Sequence, residues 1–247
     1  MNNFLSSKTL KQISRGQLLG KYKVTVLSYL LIQMLISVIL QFAALQSTTS
    51  TAGIMLYYAI YFIVTLISGI FTFGQCHLYL RISREDTCAL DDTWYGFKNY
   101  PDKAIGIQFV LSILEFVCGL PFVICYMLFT STKNFALVIP VALTLIVYVT
   151  LVVIVNLMFS QSFYLLNDHP DWKVMDILKE SMGMMKGHKL RLFYISVSFL
   201  GLMLLGLLSM GIGLFWVTPY MYMVRANFYE NLTGNLKAEP VNVDVVL

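Results

Sequence analysis

The chain has 247 residues, of which 58% are hydrophobic and only 12% are charged. Ordinary soluble domains carry roughly a quarter of charged residues, so this composition excludes a soluble globular fold and predicts an integral membrane protein. The net charge of +4 is too small to indicate nucleic-acid binding, and we expect no nucleic-acid partner.

The first long apolar segment predicts two membrane spans. Residues 24–80 contain no Asp, Glu, Lys or Arg, and this segment far exceeds the roughly 20 residues that a helix needs to cross about 30 Å of hydrocarbon. A polar, turn-forming run at 46–53 divides it, so we expect spans at 24–45 and 54–80. The polar and basic residues 1–23 argue against a cleavable signal peptide.

A second long segment predicts spans three and four. Only Glu115 and Lys133 interrupt the uncharged run of residues 104–167. The polar residues around Lys133 read as a turn, which places the two spans at 104–130 and 135–166.

The last uncharged segment, residues 192–224, predicts a fifth span and a sixth. As one helix it would extend about 50 Å at roughly 1.5 Å per residue, well beyond the membrane core. The small residues at 209–213 form the natural hinge, with span five before it and span six at 214–224 after it. Pro219 interrupts the sixth span, and one long kinked helix is the alternative interpretation.

The basic residues predict the orientation. Every Lys and Arg except Lys133 lies in the N-terminal segment, in the loops after spans two and four, or beyond span six. Positively charged flanks stay on the cytoplasmic side, so we expect a multi-pass protein of the cell (cytoplasmic) membrane with both termini in the cytoplasm.

A short pattern recurs three times and predicts an internal repeat. The sequence S-x-G-x-x-x-G occurs at 14–20 and 181–187, and residues 94–100 keep its first glycine. Residues 73–76 and 159–162 also correspond. We therefore expect an all-α, polytopic helical membrane bundle whose six transmembrane helices form three hairpins, each preceded by a cytoplasmic interfacial helix. The expected pseudo-repeats, within a single domain spanning residues 1–247, are about 5–80, 87–166 and 172–232.

The C-terminal third resembles a known family. Residues 211–220 read G-I-G-L-F-W-V-T-P-Y and residues 227–230 read N-F-Y-E, and both resemble the signature of the bacterial membrane-protein family called domain of unknown function 975. Residues 186–189 fit the same family. The resemblance implies a distant similarity to the membrane domain attached to some glycerophosphodiester phosphodiesterases. It implies no activity, because this sequence has no counterpart of their catalytic domain.

Glu115 and Arg225 are the candidate binding residues. Glu115 lies about 18 Å along its helix from Lys103, near the middle of the bilayer, where an isolated carboxylate is costly and a functional role is expected. Arg225 directly follows span six and, counted inward from Gly213, lies at a depth from which its long side chain could reach Glu115, so we predict an intramembrane polar pair. The alternative is that Glu115 is protonated or bonded to Gln33, Gln41 or a neighbouring hydroxyl, while Arg225 extends to the inner surface.

No residue pattern predicts catalysis, a metal or a cofactor. His77, His169 and His188 are far apart in sequence and lack metal-ligand spacing. Asp91 and Asp92 read as the start of a helix rather than as paired catalytic acids. We therefore expect no enzyme activity, no cofactor and no metal.

Two functions fit these features. The first is a non-catalytic accessory or scaffold component that meets the lipid bilayer and a membrane or cytoplasmic protein partner. The alternative is a transporter or lipid-handling protein with an intramembrane polar site at Glu115 and Arg225.

Overall fold

A computed structural model of the chain describes residues 4–46, 50–85 and 87–236. The regular structure in this part of the chain is entirely helical. Two short 3-10 helices, Leu90–Trp94 and Phe135–Leu137, accompany the α-helices. In chain order the α-helices are α1 (Ser7–Leu18), α2 (Tyr22–Gln46), α3 (Thr51–Glu85), α4 (Tyr95–Lys98), α5 (Pro101–Thr132), α6 (Val138–Met158), α7 (Ser162–Asp168), α8 (Val174–Met184), α9 (Lys189–Val197), α10 (Leu200–Leu208) and α11 (Leu214–Thr233).

Five segments of the described chain are long and apolar enough to cross a membrane, and each contains one of the first five predicted spans. The all-α class is thereby confirmed. The sixth predicted span falls in α11, which carries Arg225 and Glu230 and is not among the five, so a sixth crossing is not confirmed. The five segments are Tyr22–Leu45, Thr51–Glu85, Pro101–Thr132, Phe135–Asp168 and Lys189–Leu208.

The expected turns coincide with helix ends. The helix α2 ends at Gln46 and α3 begins at Thr51, while residues 47–49 of the first expected turn lie outside the described residues, as does Lys237. At the second turn Lys133 has a positive φ of 49°, a left-handed conformation that ends α5. The side chain of Asn134 then accepts a hydrogen bond from the Ala136 amide at 3.0 Å and starts the next element.

The third turn reverses the chain between α10 and α11 at very close range. Met210 and Gly211 have positive φ values of 55° and 85°. A Cβ atom added to Gly213 would lie only 2.8 Å from the Cα atom of Gly206, so the two helices touch where neither residue has a side chain. The predicted hinge at 209–213 is therefore a tight turn.

The fourth predicted span differs from one continuous helix. The helix α6 ends at Met158 and α7 begins at Ser162, whereas α3 runs unbroken through the corresponding residues 73–76. The hydroxyl of Ser160 donates to the Leu157 carbonyl at 3.0 Å, a local bond that competes with the helical backbone pattern.

The core lies at one end of the bundle. The helices α1, α4 and α8, which carry Lys or Arg residues, lie at this end, and we call it the basic end. The helix α3 is central and contacts α1, α2, α5, α7 and α11. Buried side chains concentrate in its second half and in α7 and the second half of α11. Away from this end α5 and α6 expose apolar side chains, as expected where lipid is the solvent.

The repeated pattern shares a backbone feature at its seventh position. Gly20, Tyr100 and Gly187 occupy this position and have φ values of 79°, 52° and 80°. Each lies just before one of the five segments that are long and apolar enough to cross a membrane. Glycine adopts this conformation without steric cost, whereas the tyrosine pays roughly 1 kcal/mol for it. The shared turn is what a threefold repeat leads one to expect, and the division into three pseudo-repeats stays a prediction.

Candidate functional site

A cavity of about 520 Å³ lies among α3, α5, α6, α7, α9 and α11. Its size is within the range of about 300–1,000 Å³ that is usual for small-molecule sites. Most of its wall is apolar, with polar side chains at a few places. The polar lining residues away from the aromatic ones are Thr72, Gln108, Glu115, Asn156, Ser160, Ser196 and Arg225.

Glu115 of α5 has its partner on the neighbouring helix of the same hairpin. The side-chain amide of Asn156 donates to Oε1 of Glu115 at 3.0 Å and also to the Val152 carbonyl at 3.0 Å. The second bond fixes the amide on α6. Asn156, rather than Gln33 or Gln41, therefore holds Glu115. The sequence carried one signal for this contact, since Asn156 is the only amide side chain in the otherwise apolar α6.

Arg225 of α11 faces the same cavity from the opposite helix. It also lines a second cavity of about 220 Å³, together with Tyr29, Thr218 and Tyr222 among others. Within the described part of the chain, its guanidinium takes part in no hydrogen bond and no ion pair. The structure thus brings Glu115 and Arg225 to one cavity without a direct bond between them. Their role as a functional pair stays a prediction.

A second polar cluster, the ionic junction, lies at the basic end and consists of Arg84, Asp168, Tyr229 and Glu230. The two terminal nitrogens of Arg84 donate to both oxygens of Asp168 at 2.7 and 2.8 Å. Arg84 also donates to Oε1 of Glu230 through Nε at 2.9 Å and Nη2 at 2.6 Å. The Tyr229 hydroxyl donates to Asp168 at 2.7 Å. The junction therefore joins the ends of α3, α7 and α11.

Asn227 extends this network to the first helix. Its side-chain oxygen accepts a hydrogen bond from Ser83 at 2.8 Å. Its amide nitrogen donates to Ser14 at 2.8 Å and to Gln17 at 2.7 Å. Asn227 is fully buried, so its amide connects α11 to α1 and α3 where water cannot compete.

Sequence reasoning missed the ionic junction. It assigned no functional role to Asp168 and counted Arg84 only among the basic residues that predict the orientation. The contacts join residues 84 and 146 positions apart, and no local spacing relates them. The N-F-Y-E motif at 227–230, which carries part of the family resemblance, was the sequence signal that pointed to this region. All four of its residues are buried in the structure.

The adjacent candidate residues Asp91 and Asp92 have separate partners close by in the sequence. Asp92 accepts from the Ala89 amide at 2.9 Å and pairs with Arg81 at 2.6 Å, while Asp91 pairs with Lys98 at 2.7 Å. The two carboxylates thus serve different contacts rather than one shared reaction. In the described ranges no group of three His, Cys, Asp or Glu side chains is placed to hold a metal ion.

Residues that carry the family resemblance lie in two places in the structure. Some form the tight turn at 209–213, and others form the buried N-F-Y-E motif. The chain belongs to the DUF975 family. The family is described as a protein of unknown function, and its model matches residues 1–236. No curated protein and no solved structure matches the chain. The similarity to the membrane domain of glycerophosphodiester phosphodiesterases stays a prediction.

Proposed function

We propose that this DUF975 protein is a non-catalytic, multi-pass protein of the cell membrane that holds a lipid in the cavity containing Glu115 and Arg225. The observation that carries the proposal is the cavity itself, whose lining includes the carboxylate of Glu115 and the guanidinium of Arg225, which has no ion-pair partner among the described residues. Charged groups are costly at this depth, and within membrane proteins they commonly mark ligand or ion sites.

The rest of the cavity wall favours a lipid over a polar solute. Leu111, Val152, Leu157 and Phe193 are among the apolar side chains that line it. A ligand with a polar head and an apolar chain satisfies both parts of this wall. A sugar or an inorganic ion would leave the apolar part without contacts.

The topology that fits this role has six crossings with both termini in the cytoplasm. Support comes from α11, whose 20 residues extend about 30 Å, enough to return across the hydrocarbon core. The tight α10–α11 turn reverses the chain, and α11 packs against α1, α2, α3 and α10, with its polar residues Asn227 and Glu230 fully buried. The positive flanks assign the basic end to the cytoplasm.

An accessory or scaffold role without a bound lipid is the second candidate. The observation that favours it is the outer face of α8 and of the residues before it, where Trp172 and Met175 are exposed beside Lys179 and Glu180. Such a mixed apolar and charged face suits a protein partner in the membrane or the cytoplasm.

The experiment that tests the lipid role compares two tryptophan variants on α6. Val152 lines the cavity, whereas Val149, one turn earlier, does not line it and has 51% of its surface exposed. Native mass spectrometry of the purified protein measures retained lipid. We expect wild type and Val149→Trp to retain it, and Val152→Trp to lose about nine tenths of it because the indole ring occupies part of the space that the lipid needs.

Thermal unfolding and gel filtration establish that both variants are folded. If folded Val152→Trp retains as much lipid as Val149→Trp, the lipid role is refuted and the accessory role remains.

A further inference from the structure

Resting on the proposed function, we infer that the lipid in the cavity has a zwitterionic head, with a primary ammonium at Glu115 and a phosphate at Arg225. This chemistry describes an aminophospholipid such as phosphatidylethanolamine. The inference combines three features of the cavity: the remaining hydrogen-bond capacity of Glu115, the lack of an ion-pair partner for Arg225 in the part of the chain that the structure describes, and the opposite charges of the two residues.

The carboxylate of Glu115 is oriented but not saturated. Asn156 donates to Oε1, and in the described chain no other group donates a hydrogen bond to this side chain. A carboxylate can accept about four hydrogen bonds, so this lining residue has capacity left for a ligand. A primary ammonium is a compact cation with three donors and fits this position. A quaternary choline ammonium lacks N–H donors and does not fit this position.

Arg225 lines the cavity from α11. Arginine carries five N–H donors in a planar fork that matches phosphate oxygens two at a time. Elsewhere the protein saturates a comparable group, since Arg84 bonds to both Asp168 and Glu230. Arg225 has no such carboxylate partner among the described residues. The phosphate of a bound lipid would supply the missing negative charge.

The two charges together select a zwitterion. A purely anionic lipid would satisfy Arg225 but would place negative charge in the same cavity as Glu115 and leave that carboxylate unpaired. An ammonium and a phosphate on one head neutralise both walls, and the occupied site has no net charge. Low net charge matters here because uncompensated charge is costly away from water.

The test measures which head group the purified protein selects. Wild type, Glu115→Gln, Arg225→Gln and the control Lys133→Gln, which changes a turn residue away from the cavity, are incubated with equal amounts of phosphatidylethanolamine, phosphatidylglycerol and phosphatidylcholine with identical acyl chains. Native mass spectrometry gives the bound ratio. We expect wild type and Lys133→Gln to bind phosphatidylethanolamine about tenfold over the other two, the effect of one charge-assisted hydrogen bond.

The two cavity variants should have different effects on lipid binding, because each removes one of the two charges. Glu115→Gln should bring the ratio of phosphatidylethanolamine to phosphatidylglycerol to about one, since the carboxylate no longer attracts the ammonium. Arg225→Gln should reduce binding of all three lipids about tenfold, because each has a phosphate. Equal binding of the three lipids by wild type, or an unchanged ratio in Glu115→Gln, overturns the inference.

Two further arms separate this inference from the proposed function and from a soluble ligand. If Val152→Trp loses lipid while wild type has no head-group preference, the lipid role stands and the zwitterion is refuted. If Val152→Trp keeps its lipid, both are refuted. We expect that free phosphoethanolamine at an equal concentration does not displace phosphatidylethanolamine. Displacement would show that the site binds the soluble head group rather than the lipid.

Discussion

The ionic junction and the cavity use the same residue types in opposite ways. At the junction Arg84 bonds to both Asp168 and Glu230, and Glu230 is fully buried. In the cavity Glu115 has one partner, Asn156, while Arg225 has none among the described residues. Charges that pair with one another hold helices together, whereas charges in a cavity that lack such a pairing are available to a ligand. This difference separates the structural polar residues of the protein from the candidate binding residues.

The largest effect should follow from breaking the junction. Arg84→Gln leaves two carboxylates without their cation, one of them fully buried. We expect the free energy of unfolding to fall by about 3 kcal/mol, the lower part of the range for a broken buried ion pair because Arg84 is itself partly exposed. Thermal unfolding in detergent measures it. The control is Lys98→Gln, which breaks the exposed Lys98–Asp91 pair and should cost less than about 1 kcal/mol. Equal losses in the two variants would contradict a structural junction.

The next effect concerns the tight packing at the basic end. A methyl group added at Gly74 would collide with the backbone carbonyl of Thr93, which cannot move aside alone. Gly74→Ala should therefore lower the free energy of unfolding by about 2 kcal/mol. Gly201→Ala is the matched control, because no atom lies within 4 Å of the added group. It should be neutral or stabilise α10 by about 0.5 kcal/mol. A stable Gly74→Ala protein would show that the basic end is more adaptable than the junction suggests.

The third prediction distinguishes the cavity from the junction directly. Glu115→Gln keeps an oxygen that can accept the Asn156 hydrogen bond, so its free energy of unfolding should change by less than about 0.5 kcal/mol. Its lipid selection should nevertheless change. Thermal unfolding and lipid binding are measured on the same preparation. A loss of expression or a large loss of stability would instead make Glu115 a structural residue, like Glu230.

The last prediction has no expected effect on stability and decides the path of α11. In a background whose native cysteines are replaced, Lys133→Cys should react with a membrane-impermeant maleimide added to intact cells. Asn235→Cys should react only after the cells are permeabilised, because the six crossings that we propose would return the chain to the cytoplasm. Labelling of both positions in intact cells would mean five crossings and would place the ionic junction's α11 outside the hydrocarbon core.

Local signals predicted the long helices closely. The segment at 54–80 lies within α3, and that at 104–130 lies within α5. The turn at Lys133 and the hinge at 209–213 were also predicted, since a polar run or several small residues interrupt an apolar sequence there. The break between α6 and α7 was missed, because Ser160 acts through one hydrogen bond that residue type alone does not indicate.

The sequence by itself determined that the chain is helical and apolar enough to cross a membrane, because length and the absence of charge decide that without reference to neighbours. It also singled out Glu115 and Arg225 as unusual. Only the tertiary structure decided their surroundings, which are Asn156 beside Glu115 and an open cavity beside Arg225. It likewise decided that Arg84, Asp168 and Glu230 meet. These contacts depend on how distant helices pack, and a charge has no partner until that packing brings one within reach.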